Sequence, residues 1–242
     1  MLSVLIPLPA LFAGVVQGVA GFGAGVLLML FYPLWFSIAQ SSAMSQFLCT
    51  VLCLSIVLRY RQHVNLKQCL LPIAFYFPIY FIALQCAISI NIDRLKPVLG
   101  VFLILLSVFL LYGSDRIYIR QGARSAMVCA LLSAVVDAFF GIGGPTMVVY
   151  FMATISDKRE YLGTIQSFFL VTSLYGTIMR IWKGQLTGNL IPLLLLAAVA
   201  LLLGSWIGGK IVERIDASRM KKIVYGLIGI AGFITVVINL GT

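Results

Sequence analysis

Gly141-Ile142-Gly143-Gly144-Pro145 interrupts an otherwise apolar segment that runs from about Ser125 to Ile155. A straight membrane helix has no use for three glycines and a proline at that depth. The same interruption occurs earlier, as Gly21-Phe22-Gly23-Ala24-Gly25 inside the apolar segment Leu2–Trp35. Backbone broken at membrane depth is tolerated where it is buried in protein or lines a cavity. Breaks at matching positions in two halves of a chain point to the substrate site of a transporter.

The rest of the sequence bounds that reading. The 242 residues are 62% hydrophobic and 10% charged, with a mean hydropathy of +1.09, which describes a polytopic helical membrane protein. The net charge of +10 sits in short loops between apolar runs, so it marks topogenic lysines and arginines, and no nucleic-acid partner is expected. Cys49, Cys53, Cys69, Cys86 and Cys129 lie in or beside apolar segments without a CxxC spacing and read as buried thiols. The single histidine, His63, lies in a basic loop, so neither a metal site nor any other cofactor is expected. No nucleophile stands beside a base, and no Walker-type loop is present, which argues against an enzyme and against direct ATP drive. The beginning of the chain lacks a basic n-region and reads as fold, not as a signal peptide.

The other apolar segments are Ile38–Leu58, Leu70–Ile90, Leu95–Tyr112, Leu162–Trp182, Leu190–Ile211 and Ile223–Leu240, most of them near the ~20 residues of a span. One fixed offset, the one that takes Gly21 to Gly141, also takes Val15-Val16 to Val135-Val136, Gly23 to Gly143, Phe31 to Phe151, Gln46 to Gln166, Leu66 to Leu186 and Pro72 to Pro192. The expected fold is therefore all-α and polytopic, with two homologous halves of four apolar segments each. The first repeat covers 1–113, a connecting loop 114–124 and the second repeat 125–242. Pro72 and Pro192 read as helix starts.

Loop charge separates two topologies. If every segment spans once, lysines and arginines fall evenly on both sides. If segments one and five instead dip in and return at their glycines, the halves become inverted repeats. Arg59, Arg61, Lys67, Arg116, Arg120, Arg124, Lys158, Arg159, Lys210 and the run Arg214–Lys222 then share one side, with Arg94, Lys96, Arg180 and Lys183 on the other. The positive-inside rule favours the second arrangement.

Asp137 is the acidic residue deep in an apolar segment, and its repeat partner is Gln17. An intramembrane carboxylate is functional by default. Facing a cavity, it would be suited to carrying a proton; otherwise it would tie its hairpin to a neighbour by hydrogen bonds. Gln46 and Gln166, repeated in register, either glue helices or line a site. The helix restarts after Gly21, Gly23, Gly141, Gly143 and Gly144 would offer unpaired N–H groups and a positive dipole end, suited to a small anion without a cationic side chain. Packing alone would explain one glycine better than five.

At Gly18-Val19-Ala20-Gly21-Phe22-Gly23-Ala24-Gly25, and at Asp137-Ala138-Phe139-Phe140-Gly141-Ile142-Gly143-Gly144-Pro145 followed by the Gln166 segment, the chain resembles the TauE/SafE family of sulfite exporter-like permeases. Pro145 stands where the family pattern often continues with glycine. The resemblance covers essentially the whole chain. It implies transport of sulfite, organosulfonates or related small anions across the cytoplasmic membrane, coupled to protons. A passive anion channel and a non-transporting membrane assembly factor are the alternatives.

Overall fold

A computed structural model describes residues 5–89, 96–109, 111, 122–212 and the single positions 226, 229, 230, 233, 236 and 237. Most of the 114–124 linker, and the segment Ile223–Leu240 apart from those positions, lie outside the described residues. So do Arg94, Arg116, Arg120 and the run Arg214–Lys222 of the charge argument.

Among the described residues there is helix and no strand. The elements are α1 (Pro7–Ala20), α2 (Ala24–Phe31), α3 (Ile38–Tyr60), α4 (Leu66–Ser89), α5 (Lys96–Val108), α6 (Ala123–Phe140), α7 (Gly144–Thr154), α8 (Lys158–Trp182) and α9 (Ile191–Val212). Five helical stretches are long and apolar enough to cross a membrane: Ile38–His63, Leu66–Ser89, Ala123–Phe140, Lys158–Trp182 and Gly188–Lys210. Lipid replaces water around them. On α9, Leu195, Val199 and Leu203 are more than half exposed, while Leu194, Ala197, Ala198 and Leu201 are buried against the bundle. The protein is a multi-pass membrane protein.

Helix starts are specified locally. Ser37 caps α3 by accepting from the Gln40 amide at 3.3 Å, and Asp157 caps α8 by accepting from the Glu160 amide at 2.8 Å. Both are cap residues followed three positions later by Gln or Glu, the capping-box pattern, and they stand at the same offset as Gly21 and Gly141. Pro192 is the second residue of α9, as a helix start should be. Pro72 is not a start: α4 begins at Leu66 and carries both Pro72 and Pro78 within it. The earlier start is fixed by Asn65, whose N–H donates to Thr164 Oγ1 at 3.0 Å and whose carbonyl accepts from the Gln68 amide at 3.2 Å.

Small residues set the closest packing. Gly14 and Gly18 on α1 face Gly204 and Gly208 on α9, both pairs at GxxxG spacing. A methyl group added at Gly14 or Gly204 would overlap the carbonyl oxygen of Leu201 or Leu11, and one at Gly18 would sit 2.6 Å from Ser205 O. In lipid there is no hydrophobic drive between helices, so such backbone proximity is what holds a pair together. Gly14 meets Leu201 and Ser205 while Gly18 meets Ser205 and Gly209, so α1 and α9 run parallel. By contrast α3 and α8 run antiparallel. Gln46 lies against Gly176, Thr50 Oγ1 donates to Ser173 Oγ at 3.1 Å, and Tyr60 and His63 abut Gly163.

The chain doubles back twice. Tyr32, just after α2, donates to the carbonyl of Ile6, just before α1, at 3.4 Å. Between α6 and α7 Thr146 Oγ1 donates to Cys129 O at 3.3 Å, and Gly122 and Ala123 line one surface cavity with Tyr150 and Thr154. The α3–α4 turn and the start of α8 share a face of the bundle, where Asn65 Nδ2 donates to Glu160 Oε1 at 2.9 Å. On the opposite face Lys183 Nζ donates to Gln85 Oε1 at 3.0 Å.

One charge assignment needs correcting. The place of Arg180 in the sequence predicts a loop cation, but it is 1% exposed and lies inside the bundle. Its place next to Trp182 at the end of an apolar segment disguises it as a topogenic charge.

Candidate functional site

The two turns at the tips of these hairpins meet near the centre of the bundle. α1 ends with Gly21 in the left-handed region (φ 77°), its N–H on Gln17 O at 2.8 Å. α6 ends the same way, with Gly141 at φ 67° and its N–H on Asp137 O at 2.8 Å. The next glycines differ. Gly23 is again left-handed at φ 109°, whereas Gly143, at φ −81°, is in an ordinary helical conformation. Gly143 is needed for room: a Cβ there would lie 2.8 Å from the Cβ and Cγ of Asp137.

Side chains from five helices, α1, α3, α4, α6 and α8, close around the tips. Asp137 Oδ1 accepts from Gln46 Nε2 at 2.6 Å and from Gly143 N at 3.0 Å, while Oδ2 accepts from the Tyr76 hydroxyl. Across the centre, Gln17 Oε1 accepts from Ala24 N at 3.1 Å, and Gln17 Nε2 donates to Gln166 Oε1 at 3.3 Å. Gln166 Nε2 donates to Gly21 O at 2.6 Å. Each tip is thus capped by the residue at the offset position of its own helix, Gln17 or Asp137. Each cap is in turn held by a glutamine of a long helix, Gln166 or Gln46. Ser133 secures the second tip from below by donating to Gly143 O.

This arrangement narrows the expectation of unpaired N–H groups at the restarts. The amides of Ala24 and Gly143 are already taken by side chains, and Pro145 has no N–H to offer. What remains between the tips is a cavity of about 60 Å³. A single water needs only ~10–15 Å³ measured this way, so a solute of a few atoms fits. Gly23, Gln46, Asp137, Gly141, Gly143 and Gly144 line it, together with Gln17, Tyr76, Phe168, Thr172 and Ser173. Gly21 and Gln166 do not line it; they stand one hydrogen bond behind the wall. Cys49 and Cys53 also reach the cavity, while Cys86 is exposed on the outside of the bundle.

Two residues at the site escaped the sequence. Tyr76 sits in the run Ala74-Phe75-Tyr76-Phe77, where it looks like one more aromatic, and its offset position is Leu196, so the repeat gives no hint. Arg180 donates through Nη2 to Asp137 O at 3.2 Å and Ala138 O at 2.7 Å, capping the last turn of α6, and through Nη1 to Gln185 Oε1 at 2.8 Å. A cation at the carbonyl end of a helix answers the negative end of its dipole. Among the described residues, no three His, Cys, Asp or Glu side chains gather as a metal would require.

Comparison with known proteins agrees with the architecture. The family model for the sulfite exporter TauE/SafE matches residues 6–235. No curated protein and no solved structure gave a match. A match over nearly the whole chain, on an all-helical bundle with five helices fit to cross a bilayer, fixes the assignment: the chain belongs to the TauE/SafE sulfite exporter family of membrane transporters.

Proposed function

We propose that this protein is a secondary transporter that moves a small oxyanion, sulfite or an organosulfonate, across the cytoplasmic membrane by alternating access at the cavity between the two glycine tips. The observation that carries the reading is the Asp137 carboxylate, which lines a cavity at the meeting point of two helical hairpins. Asp137 carries the coupling proton. Gln46 and Gln17 shape the polar wall, with Gln166 and Gly21 one hydrogen bond behind it, and Gly23, Gly141, Gly143 and Gly144 let backbone approach the anion.

The halves, about 1–113 and 125–242, act as inverted repeats, with segments one and five re-entrant. Two features of the packing support this. The partners α3 and α8 run antiparallel, as an axis in the membrane plane requires. Helices α1 and α9 pack together, as do α6 and α4, which stand at the corresponding offset. Arg61 and Lys67 share a face with Lys158 and Arg159, because the Asn65–Glu160 hydrogen bond joins their loops. That face is cytoplasmic.

The test is uptake of labelled sulfite into proteoliposomes with and without an imposed pH gradient, for wild type and Asp137→Asn. Gradient-stimulated flux that the substitution abolishes is the expected result. Flux indifferent to both gradient and substitution would make Asp137 structural and the protein a channel or uniporter.

A further inference from the structure

We propose that Arg180 is the fixed positive charge for which the transported anion and the Asp137 carboxylate compete, so that this arginine ties anion to proton. The inference rests on the transport reading above and adds a positioning residue to it.

The guanidinium is buried, at 1% exposure, and its hydrogen-bonded partners are all neutral oxygens: two backbone carbonyls and the Gln185 amide. Its Nε makes no hydrogen bond, and the neutral Tyr80 hydroxyl stands beside the guanidinium. Carbonyls at a helix end carry only about half a unit of negative charge. A cation inside a membrane protein pairs with backbone carbonyls or with an opposite charge, and only an opposite charge brings the net charge of the site to zero. Asp137 supplies it, and does so from a particular position. Its backbone carbonyl is on Arg180 while its carboxylate faces the cavity. Arg180 stands behind the wall and reaches the cavity only through that residue.

The charge count then has two balanced states. With Asp137 ionised, arginine and carboxylate cancel, and an added anion would leave the site negative. With Asp137 protonated, the anion takes the carboxylate's place as counter-charge. Each balanced state therefore excludes the other, which is what coupling one proton to one negative charge requires. The other ionisable groups that face the carboxylate are Cys49 on α3 and Tyr76 and Tyr80 on α4, none of which carries a positive charge. The device belongs to the second half alone, since the offset positions of Asp137 and Arg180 are Gln17 and Tyr60.

The experiment measures sulfite binding to the purified full-length protein by calorimetry at one fixed pH, with melting temperature recorded for every variant. Arg180→Met should weaken binding by ~10-fold, the size of one charge acting from behind the wall across ~10 Å at an effective dielectric of about 20. Arg180→Lys, which keeps the charge and loses the fork, should lose less. Asp137→Asn should bind more tightly than wild type, and the double variant Arg180→Met/Asp137→Asn should recover affinity towards wild type. A role in packing alone predicts no such rescue. An Arg180→Lys as weak as Arg180→Met, with a double variant no better than either, overturns the proposal. If Arg180→Met does not fold, the double variant against Arg180→Lys decides in the same way. Wild type that fails to saturate with sulfite overturns the transport reading itself, whereas a saturating wild type with a flat ranking removes only Arg180's part.

Discussion

Replacing Asp137 by alanine should destabilise the protein far more than replacing it by asparagine, and the difference can be worked from its hydrogen bonds. The carboxylate serves three buried donors: Gln46 Nε2, Gly143 N and the Tyr76 hydroxyl. Alanine leaves all three without an acceptor. An orphaned buried donor costs ~1–3 kcal/mol, although side-chain hydrogen bonds inside membrane proteins average only ~0.6 kcal/mol. The loss from three donors therefore lies between about 2 and about 9 kcal/mol. Asparagine can place its oxygen where Oδ1 was and keep the Gln46 and Gly143 bonds, while the Tyr76 hydroxyl turns to accept from the new NH₂. It also mimics the protonated carboxyl of the proposed cycle. At ~2–4 °C per kcal/mol for a chain of this size, Asp137→Ala should melt at least ~4 °C below wild type and Asp137→Asn close to it. The assay is fluorescence-detected gel filtration of detergent extracts heated in steps. Alanine and asparagine variants that both melt with wild type would show that the tips do not depend on this carboxylate, and the network reasoning would fall.

Two further outcomes probe the packing and the topology. Gly14→Ala forces a methyl group into the Leu201 carbonyl and should cost ~1–3 kcal/mol or more, whereas Gly188→Ala meets nothing within 4 Å and should be neutral in the same melting assay. Equal melting temperatures for the two would mean that α1 and α9 are not in backbone contact. In a cysteine-free background, His63→Cys and Lys158→Cys should both react with an impermeant maleimide from the cytoplasmic side. Labelling from opposite sides would rule out re-entrant hairpins.

What could be read from the sequence followed from local rules. Apolar length located the helices that became α3, α4, α8 and α9, within a few residues at each end. Polar residues at membrane depth pointed to Gln46, Asp137 and Gln166 before any contact was known, because burying such groups in lipid is expensive enough to require a reason. The misses have a common cause, which is that they depend on what a residue meets across the bundle. Tyr76 matters because Asp137 lies opposite it, and nothing in its own segment says so. Arg180 lies at the edge of an apolar run, where a lysine or arginine is ordinarily topogenic. The GxxxG spacing of Gly14 with Gly18, and of Gly204 with Gly208, was visible in the chain, yet only the structure shows the two pairs facing each other. The cap pairs Ser37/Gln40 and Asp157/Glu160 were also visible, and they extend the offset register into a segment where apolar identities say little.

The two tips share a backbone plan and differ in electrical character, and this difference bears on how such a bundle can be driven. Around the first tip Gln17 and Gln166 hold the chain with neutral amides, so its conformation is indifferent to protons. Around the second, the same offset positions carry Asp137 held by Gln46, with Tyr76 and Arg180 added from α4 and α8. A symmetric pair of ionisable tips would bind two protons in states of equal energy and give the cycle no preferred order. One neutral tip and one ionisable tip remove that degeneracy. In the proposed cycle the proton would be read in one place, on the hairpin whose end Arg180 clamps, and the other hairpin, in backbone contact with α9, would be the surface against which the first one works.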